Sequence, residues 1–208
     1  KTDAIFLCGK KASAEEINRK SLNKLSSPEH IYYSKGTGNI TNDDKQAPDL
    51  LTLKEGAHVI LLQNTAEYQN GSSGIIVNLY KKSVDVKICA TNKIVNVTYA
   101  TWNAERYFFN VTTQKIEQKT VGTFSQLPLQ LGYAITIHKS QGTTLDKVIL
   151  SLGSSHYPEI FSYGQLYVAL SRVTSAKNLQ ILGDFNTVPV LAAPEVLEFY
   201  KNITPFTS

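Results

Sequence analysis

The 208-residue sequence predicts an α/β protein, a parallel-sheet layer interrupted by a small antiparallel β-barrel. Three observations point there. The chain opens on a short apolar run followed by a helix-initiating pattern. Residues 59–109 then hold strand-like runs with no helix between them, and beyond Pro128 strands and helices alternate again. Strands alternating with helices build a parallel sheet, whereas short strands at close spacing build a barrel or sandwich.

The elements follow in order. Residues 4–8 form an apolar run of buried-strand length. Ser13 stands three residues before Glu16, a capping-box spacing, and Ile17, Leu22 and Leu25 follow at near-helical intervals. Residues 34–49, rich in Gly, Thr, Asn, Asp and Lys, read as a loop. Residues 59–62, 74–80 and 84–88 are strand-like and separated by turn residues. Residues 95–99 alternate strictly, and Tyr107, Phe108 and Phe109 add aromatic β-formers. The insert is placed at 54–126, leaving 1–53 and 127–208 to the α/β domain. Within the latter, residues 148–150 read as a buried strand. Ser162, with Gln165 three residues on, caps a helix reaching Val173 with Leu166, Ala169, Leu170 and Val173 as its stripe. Residues 179–182 make another strand, and Pro194 opens a last helix over 195–201.

Composition narrows the class. With 42% hydrophobic and 18% charged residues, the chain can bury a core without staples, which excludes disordered, collagen-like and disulfide-framework proteins. Cys8 and Cys89 read most simply as reduced thiols of an intracellular protein. No apolar run approaches the roughly 18 residues of a membrane span. The chain begins at Lys1 without an initiator Met and is expected to be a piece of something longer. Asn-x-Ser/Thr triplets begin at Asn39, Asn70, Asn96, Asn110 and Asn202; in so Asn- and Thr-rich a chain they read as chance products. Taken as glycan sites they would favour a secreted β-rich binding protein. The net charge of +4 comes from basic excess in residues 1–25 and 71–130, while 131–208 balances. Those stretches suit a polyanion or an ordinary solvated face, so charge alone does not decide the function.

Two clusters carry candidate chemistry. Residues 136–144, Thr-Ile-His-Lys-Ser-Gln-Gly-Thr-Thr, lie just before the 148–150 strand, on a connection at the sheet edge where α/β proteins place ligands. His, Lys, Ser and Thr side chains can contact phosphates, and Gly admits close backbone approach; as a bare string the segment has little specificity and is more often only a turn. The second is residues 164–172, Gly-Gln-Leu-Tyr-Val-Ala-Leu-Ser-Arg. Arg172 either complements the C-terminal dipole of its helix or projects a permanent, forked cation toward a phosphate.

In this order, with a strand between them, residues 131–146 resemble motif V of superfamily-one helicases, closest to the petite-integration-frequency family and its RecD-like relatives. Residues 164–175 resemble motif VI, and residues 53–64 with 70–74 are similar to the approach to that family's SH3-like barrel. The resemblance implies a second RecA-like domain with an SH3-like insert, the C-terminal part of an ATP-dependent DNA helicase translocating 5′→3′ and serving DNA repair and recombination. It implies that Arg172 is the arginine finger reaching ATP. Gln141 and Gly142 match positions near the nucleotide, and Thr136, His138, Lys139 and Ser140 match positions touching single-stranded DNA. Trp102 would line the DNA exit or belong to the barrel core.

Two departures stand out. Lys10-Lys11 replaces the Thr-Asn or Thr-Arg of many relatives after the first strand. Nowhere does Gly-x-x-x-x-Gly-Lys-Ser/Thr occur, so ATP and Mg²⁺ are expected to be held mainly by an N-terminal P-loop RecA-like domain of the same protein. The chain alone is expected to be inactive. The rival reading is a degenerate helicase-like module binding single-stranded nucleic acid or a protein partner without hydrolysis. Neither reading involves a membrane. The expected setting is the bacterial cytoplasm, or the nucleus or mitochondrion of a eukaryote.

Overall fold

The computed structural model describes residues 4–154, 157–188 and 190–203. Lys1 and Thr204, the last residue of the Asn202 triplet, lie outside them. The chain divides into two compact units, residues 1–19 with 133–208, and residues 20–132.

Strand β1 (Ile5–Cys8) leads into helix α1 (Lys11–Asn23). Then come β2 (His30–Tyr33), β3 (Lys35–Gly38), β4 (Leu50–Leu53), β5 (His58–Leu61), β6 (Ser73–Leu79), β7 (Ser83–Ile88) and β8 (Ile94–Thr98). A long hairpin, β9 (Ala100–Asn110) and β10 (Lys115–Gln126), precedes β11 (Leu129–Leu131) and β12 (Ala134–Thr136). The chain finishes with β13 (Val148–Ser151), helix α2 (Gln165–Leu170), β14 (Leu179–Leu182) and helix α3 (Pro194–Lys201). Among the described residues no helix is long and apolar enough to cross a membrane.

The first unit is built on a four-stranded parallel sheet in the order β12-β1-β13-β14. Phe6 pairs with Ala134 on one side and with Ile149 on the other. Leu7, Cys8, Ile149 and Leu150 are buried, as near-continuous apolar runs in a parallel sheet should be. The free edge of β12 is closed by a side chain. Asn18 donates from Nδ2 to the Ala134 carbonyl at 2.8 Å and accepts the Ala134 N–H at 2.9 Å, so its amide imitates a further strand.

The second unit holds a five-stranded antiparallel sheet in the order β11-β5-β6-β7-β8. The alternating burial of β7 and β8 sends Val84, Val86, Val95 and Val97 into a core with Leu53, Leu61, Ile76 and Leu129. The pairing is that of an open sheet; it does not close into the expected ring. Beside it lie the pair β2-β4 and the sheet β3-β10-β9. Trp102 is half-buried and stacks on its cross-strand partner Phe124 with ring centroids 5.9 Å apart. The buried Gln126 ties these pieces together, donating from Nε2 to the carbonyls of Tyr32, Pro48 and Asp49 and accepting the Leu127 N–H.

Several expectations are revised. Residues 34–49 are not all loop, because β3 pairs with residues 122–125. β2, β4 and β10 went unpredicted, and through them residues 20–53 fall with the insert rather than with the parallel-sheet unit. Helix α1 starts two residues before Ser13, whose hydroxyl donates to the carboxylate of Glu159, so the Ser13–Glu16 capping box does not form. Helix α2 runs only from Gln165 to Leu170, and its N-cap is Gly164 at φ +68° rather than Ser162. Half of the expected box survives, since the Gln165 Oε1 accepts the N–H of Ser162 at 3.2 Å.

Candidate functional site

In a parallel sheet all strand ends of one kind share an edge, and ligands bind beyond the carboxyl ends. Here that edge carries Gly9-Lys10 after β1 and residues 137–147 after β12. Beyond Thr136 the chain makes a short 3₁₀ turn over His138–Ser140. Cys8 accepts the Ile137 N–H at 2.9 Å, and Thr136 Oγ1 accepts the Lys139 N–H at 3.3 Å, so the turn is fastened to two strand ends. Ser140 is fully buried and its hydroxyl donates to the Ile137 carbonyl at 2.7 Å. His138, Lys139, Gln141 and Gly142 are exposed. Gly142 has φ +78° with open space where a side chain would begin, so backbone conformation, not crowding, calls for glycine there.

The two candidate clusters meet at Arg172. Its Nε donates to the Val168 carbonyl at 2.8 Å, one helical turn back. Its Nη1 reaches the carbonyls of Ser140 at 3.1 Å and Thr143 at 3.2 Å, and Nη2 donates to Ser171 Oγ at 2.8 Å. The Arg172 carbonyl in turn accepts the Leu145 N–H at 2.8 Å. Thus a cation and the 138–144 loop form one hydrogen-bonded patch at the carboxyl edge. Of the seven residues singled out, Gln141, Gly142, His138 and Lys139 present surface here and Arg172 is half-buried among them. Thr136 is half-buried with its hydroxyl accepting from the turn, and the Ser140 hydroxyl is spent inside.

A second cluster, which the sequence reading missed, sits under the same edge. Glu159 is buried, and its carboxylate accepts the Lys10 N–H at 2.8 Å together with the Ser13 hydroxyl. A carboxylate at a helix N-terminus offsets the positive end of the helix dipole. Gly9 is required by close approach, because a Cβ there would fall 1.5 Å from the Glu159 carbonyl oxygen. Gln165, also buried, accepts the Phe161 N–H at 2.9 Å, while its Nε2 is the one buried side-chain nitrogen among the described residues with no partner. Burial, helped by the negative charge of Glu159, pushes the Cys8 thiol up to about 12. Cys8 and Cys89 are both free, the first buried and the second exposed. Only tertiary placement reveals this cluster, since Glu159 lies in a Tyr-Pro-Glu-Ile stretch with no motif.

The patch suits one side of an anionic, phosphoryl-bearing ligand: a guanidinium, an exposed glycine and two basic side chains. Among the described residues no group of three or more His, Cys, Asp or Glu is placed to hold a metal ion.

No family model matches the chain. Curated relatives do. The ATP-dependent DNA helicase Pif1 of Bdellovibrio bacteriovorus is 33% identical over 199 residues, spanning 92% of this chain and 42% of that protein. The chain therefore spans under half the length of such relatives. Among solved structures, unliganded Pif1 from Bacteroides superposes with a TM-score of 0.80 at 27% identity, covering 96% of this chain and 45% of the other. The Bacteroides Pif1 helicase in complex with ADP-AlF3 and single-stranded DNA gives 0.71 at 28% identity, over 95% and 44%.

Proposed function

The chain belongs to the Pif1 helicase family, matching less than half of its relatives' length, and we propose that it is the strand-gripping, finger-bearing part of an ATP-dependent DNA helicase. The observation that carries the reading is the meeting of Arg172 with the 138–144 loop at the carboxyl edge of the parallel sheet. Arg172 supplies a permanent positive charge for a nucleotide phosphate, with Gln141 and Gly142 beside it. His138 and Lys139, exposed on the turn, take phosphates of single-stranded DNA, and Thr136 and Ser140 hold that turn in shape. In Bacteroides Pif1 a nucleotide analogue and single-stranded DNA are bound together, which supports assigning both ligands to one motor.

When bound, ATP with Mg²⁺ supplies the transferable phosphoryl group. They are assigned mainly to an N-terminal P-loop domain of the same protein, since this chain has no P-loop sequence. This chain offers a guanidinium that offsets developing phosphoryl charge, an effect worth about 10³–10⁵ in rate across phosphoryl-transfer enzymes. DNA is an intracellular substrate, so the working compartment is the bacterial cytoplasm or the eukaryotic nucleus or mitochondrion.

The test is Arg172→Ala in the intact protein, measuring DNA-stimulated ATP hydrolysis and single-strand affinity side by side. Hydrolysis falls by about 10³-fold or more, whereas affinity falls less than tenfold. Equal losses in both would remove the finger assignment. The 208-residue chain by itself shows no hydrolysis, and measurable turnover would overturn the division of labour.

A further inference from the structure

A guanidinium carries five N–H donors. Four of those on Arg172 are engaged within its own unit, by Val168, Ser140, Thr143 and Ser171. One Nη2 proton remains. A forked grip on two phosphate oxygens takes two parallel donors. Arg172 therefore cannot complete such a grip without giving up a partner it now holds.

The partners most exposed to that loss are the two carbonyls on Nη1. Ser140 and Thr143 flank Gln141 and Gly142, so Nη1 bridges the base of the exposed loop. Little else holds it: Gln141 donates to His138 at 3.2 Å and Thr143 to Ser140 at 3.0 Å. Each of these two Nη1–H bonds comes from a charged donor and is stronger than either of those neutral bonds. His138 and Lys139 ride on the turn immediately before it.

We infer that Arg172 is a positioning residue for the 138–144 loop while no anion is within reach, and that engaging a nucleotide phosphate withdraws it and loosens that loop. The inference rests on the finger reading above and adds what couples the two ligands. A single side chain is contested by the phosphate and by the base of the strand-contacting loop. Nucleotide state then reaches the DNA grip through a competition for donors, with no wider rearrangement of the sheet.

The experiment is hydrogen exchange read by NMR or mass spectrometry, in two arms. In the 208-residue chain without nucleotide, Arg172→Ala speeds exchange of the Gln141 and Thr143 amides by about tenfold or more, the scale of a lost charge-assisted bond. The Leu145 amide, which donates to the Arg172 main-chain carbonyl, and the sheet amides of Leu7 and Leu150 keep their protection and show that the fold is intact. Arg172→Lys keeps the charge but lacks the fork, and gives an intermediate rate. Unchanged exchange at Gln141 and Thr143 in both variants overturns the positioning role.

In the intact protein, ADP with aluminium fluoride and Mg²⁺ speeds exchange at the same two amides in the unsubstituted protein and not in Arg172→Ala. Nucleotide that binds yet leaves those amides unchanged overturns the withdrawal. A protein that binds no nucleotide overturns the helicase reading itself, while the first arm still decides whether Arg172 fastens the loop.

Discussion

Removing the carboxylate of Glu159 should unlock Cys8. Glu159→Ala deletes the acceptor of the Lys10 N–H and of the Ser13 hydroxyl and leaves the start of α1 uncapped. Each hydrogen bond to a charged group contributes about 1.5–3 kcal/mol, and relief of carboxylate burial offsets part of the sum, leaving a net loss of about 2–4 kcal/mol. Cys8 is fully buried in the adjoining strand, with a thiol pushed up to about 12, so it reacts only through opening of this region. At 1.4 kcal/mol per factor of ten, its labelling by a thiol reagent should accelerate by roughly 30- to 1000-fold. Exposed Cys89 reacts at once and marks the reagent's free rate. Glu159→Gln is the control: its carbonyl still accepts from Lys10 and its amide can donate to Ser13 Oγ, so acceleration stays below about tenfold. If Glu159→Ala labels Cys8 within threefold of the unsubstituted rate, the carboxylate is not what closes this edge.

Further outcomes follow from the same structure. His138→Ala combined with Lys139→Ala should weaken single-strand binding and flatten its salt dependence by about 0.7 in slope, the share of one Lys–phosphate contact, whereas an unchanged slope would place Lys139 off the DNA. Gly142→Ala should cost about 1–2 kcal/mol in urea unfolding, because φ +78° strains a side chain that otherwise meets open space; no measurable cost would mean the loop relaxes. Arg106 donates to both carboxylate oxygens of Asp44, at 2.7 and 2.6 Å, and this hydrogen-bonded contact holds Asp44 well below the usual carboxylate range. A lowered folded-state value gives stability that is fully present above about pH 4 and lost as pH falls toward it, so the stability gap between the unsubstituted protein and Arg106→Gln should close in acid. A gap that does not narrow at all between pH 5 and pH 2 would assign it to packing. Tyr107, Phe109 and Ile116, exposed on one face of the β9–β10 hairpin, should tolerate joint change to Thr within about 1 kcal/mol while solubility rises; a larger loss would reveal a hidden contact.

Three of the four parallel-sheet strands were legible because apolar runs such as Ile5–Cys8 and Val148–Ser151 have no other economical use, while the three-residue β12 was not. The hydrophobic alternation of Ile94–Thr98 likewise announced a half-buried strand. β10 was hidden because Lys115–Gln126 is mostly Lys, Gln, Thr and Glu, held in place by pairing with β9 along its whole length rather than by its own pattern. β3, Lys-Gly-Thr-Gly, carries no strand signal at all and exists through its pairing with β10. The capping box at Ser13 failed for a similar reason, since a carboxylate 146 residues away competes for the hydroxyl. At the candidate site the residue types were readable, but their engagement was not. Nothing in the string tells that the Ser140 hydroxyl turns inward, or that Arg172 spends its donors on the neighbouring loop.

Placing the whole second unit between β1 and β12 sets an order of assembly. β1 is made before the whole second unit, yet both of its partners, β12 and β13, follow more than a hundred residues later. At about 5–20 residues per second of synthesis, the Ile-Phe-Leu-Cys strand waits on the order of ten seconds with its apolar side chains unpaired. The second unit is complete by then, and its core includes both Leu22 near its start and Leu129 near its end. Its folding draws the two ends together and removes most of the loop-closure entropy that the central strand would otherwise face. A lesion in the antiparallel core should therefore surface first as a parallel sheet that assembles slowly and aggregates during synthesis, before any loss of chemistry is seen.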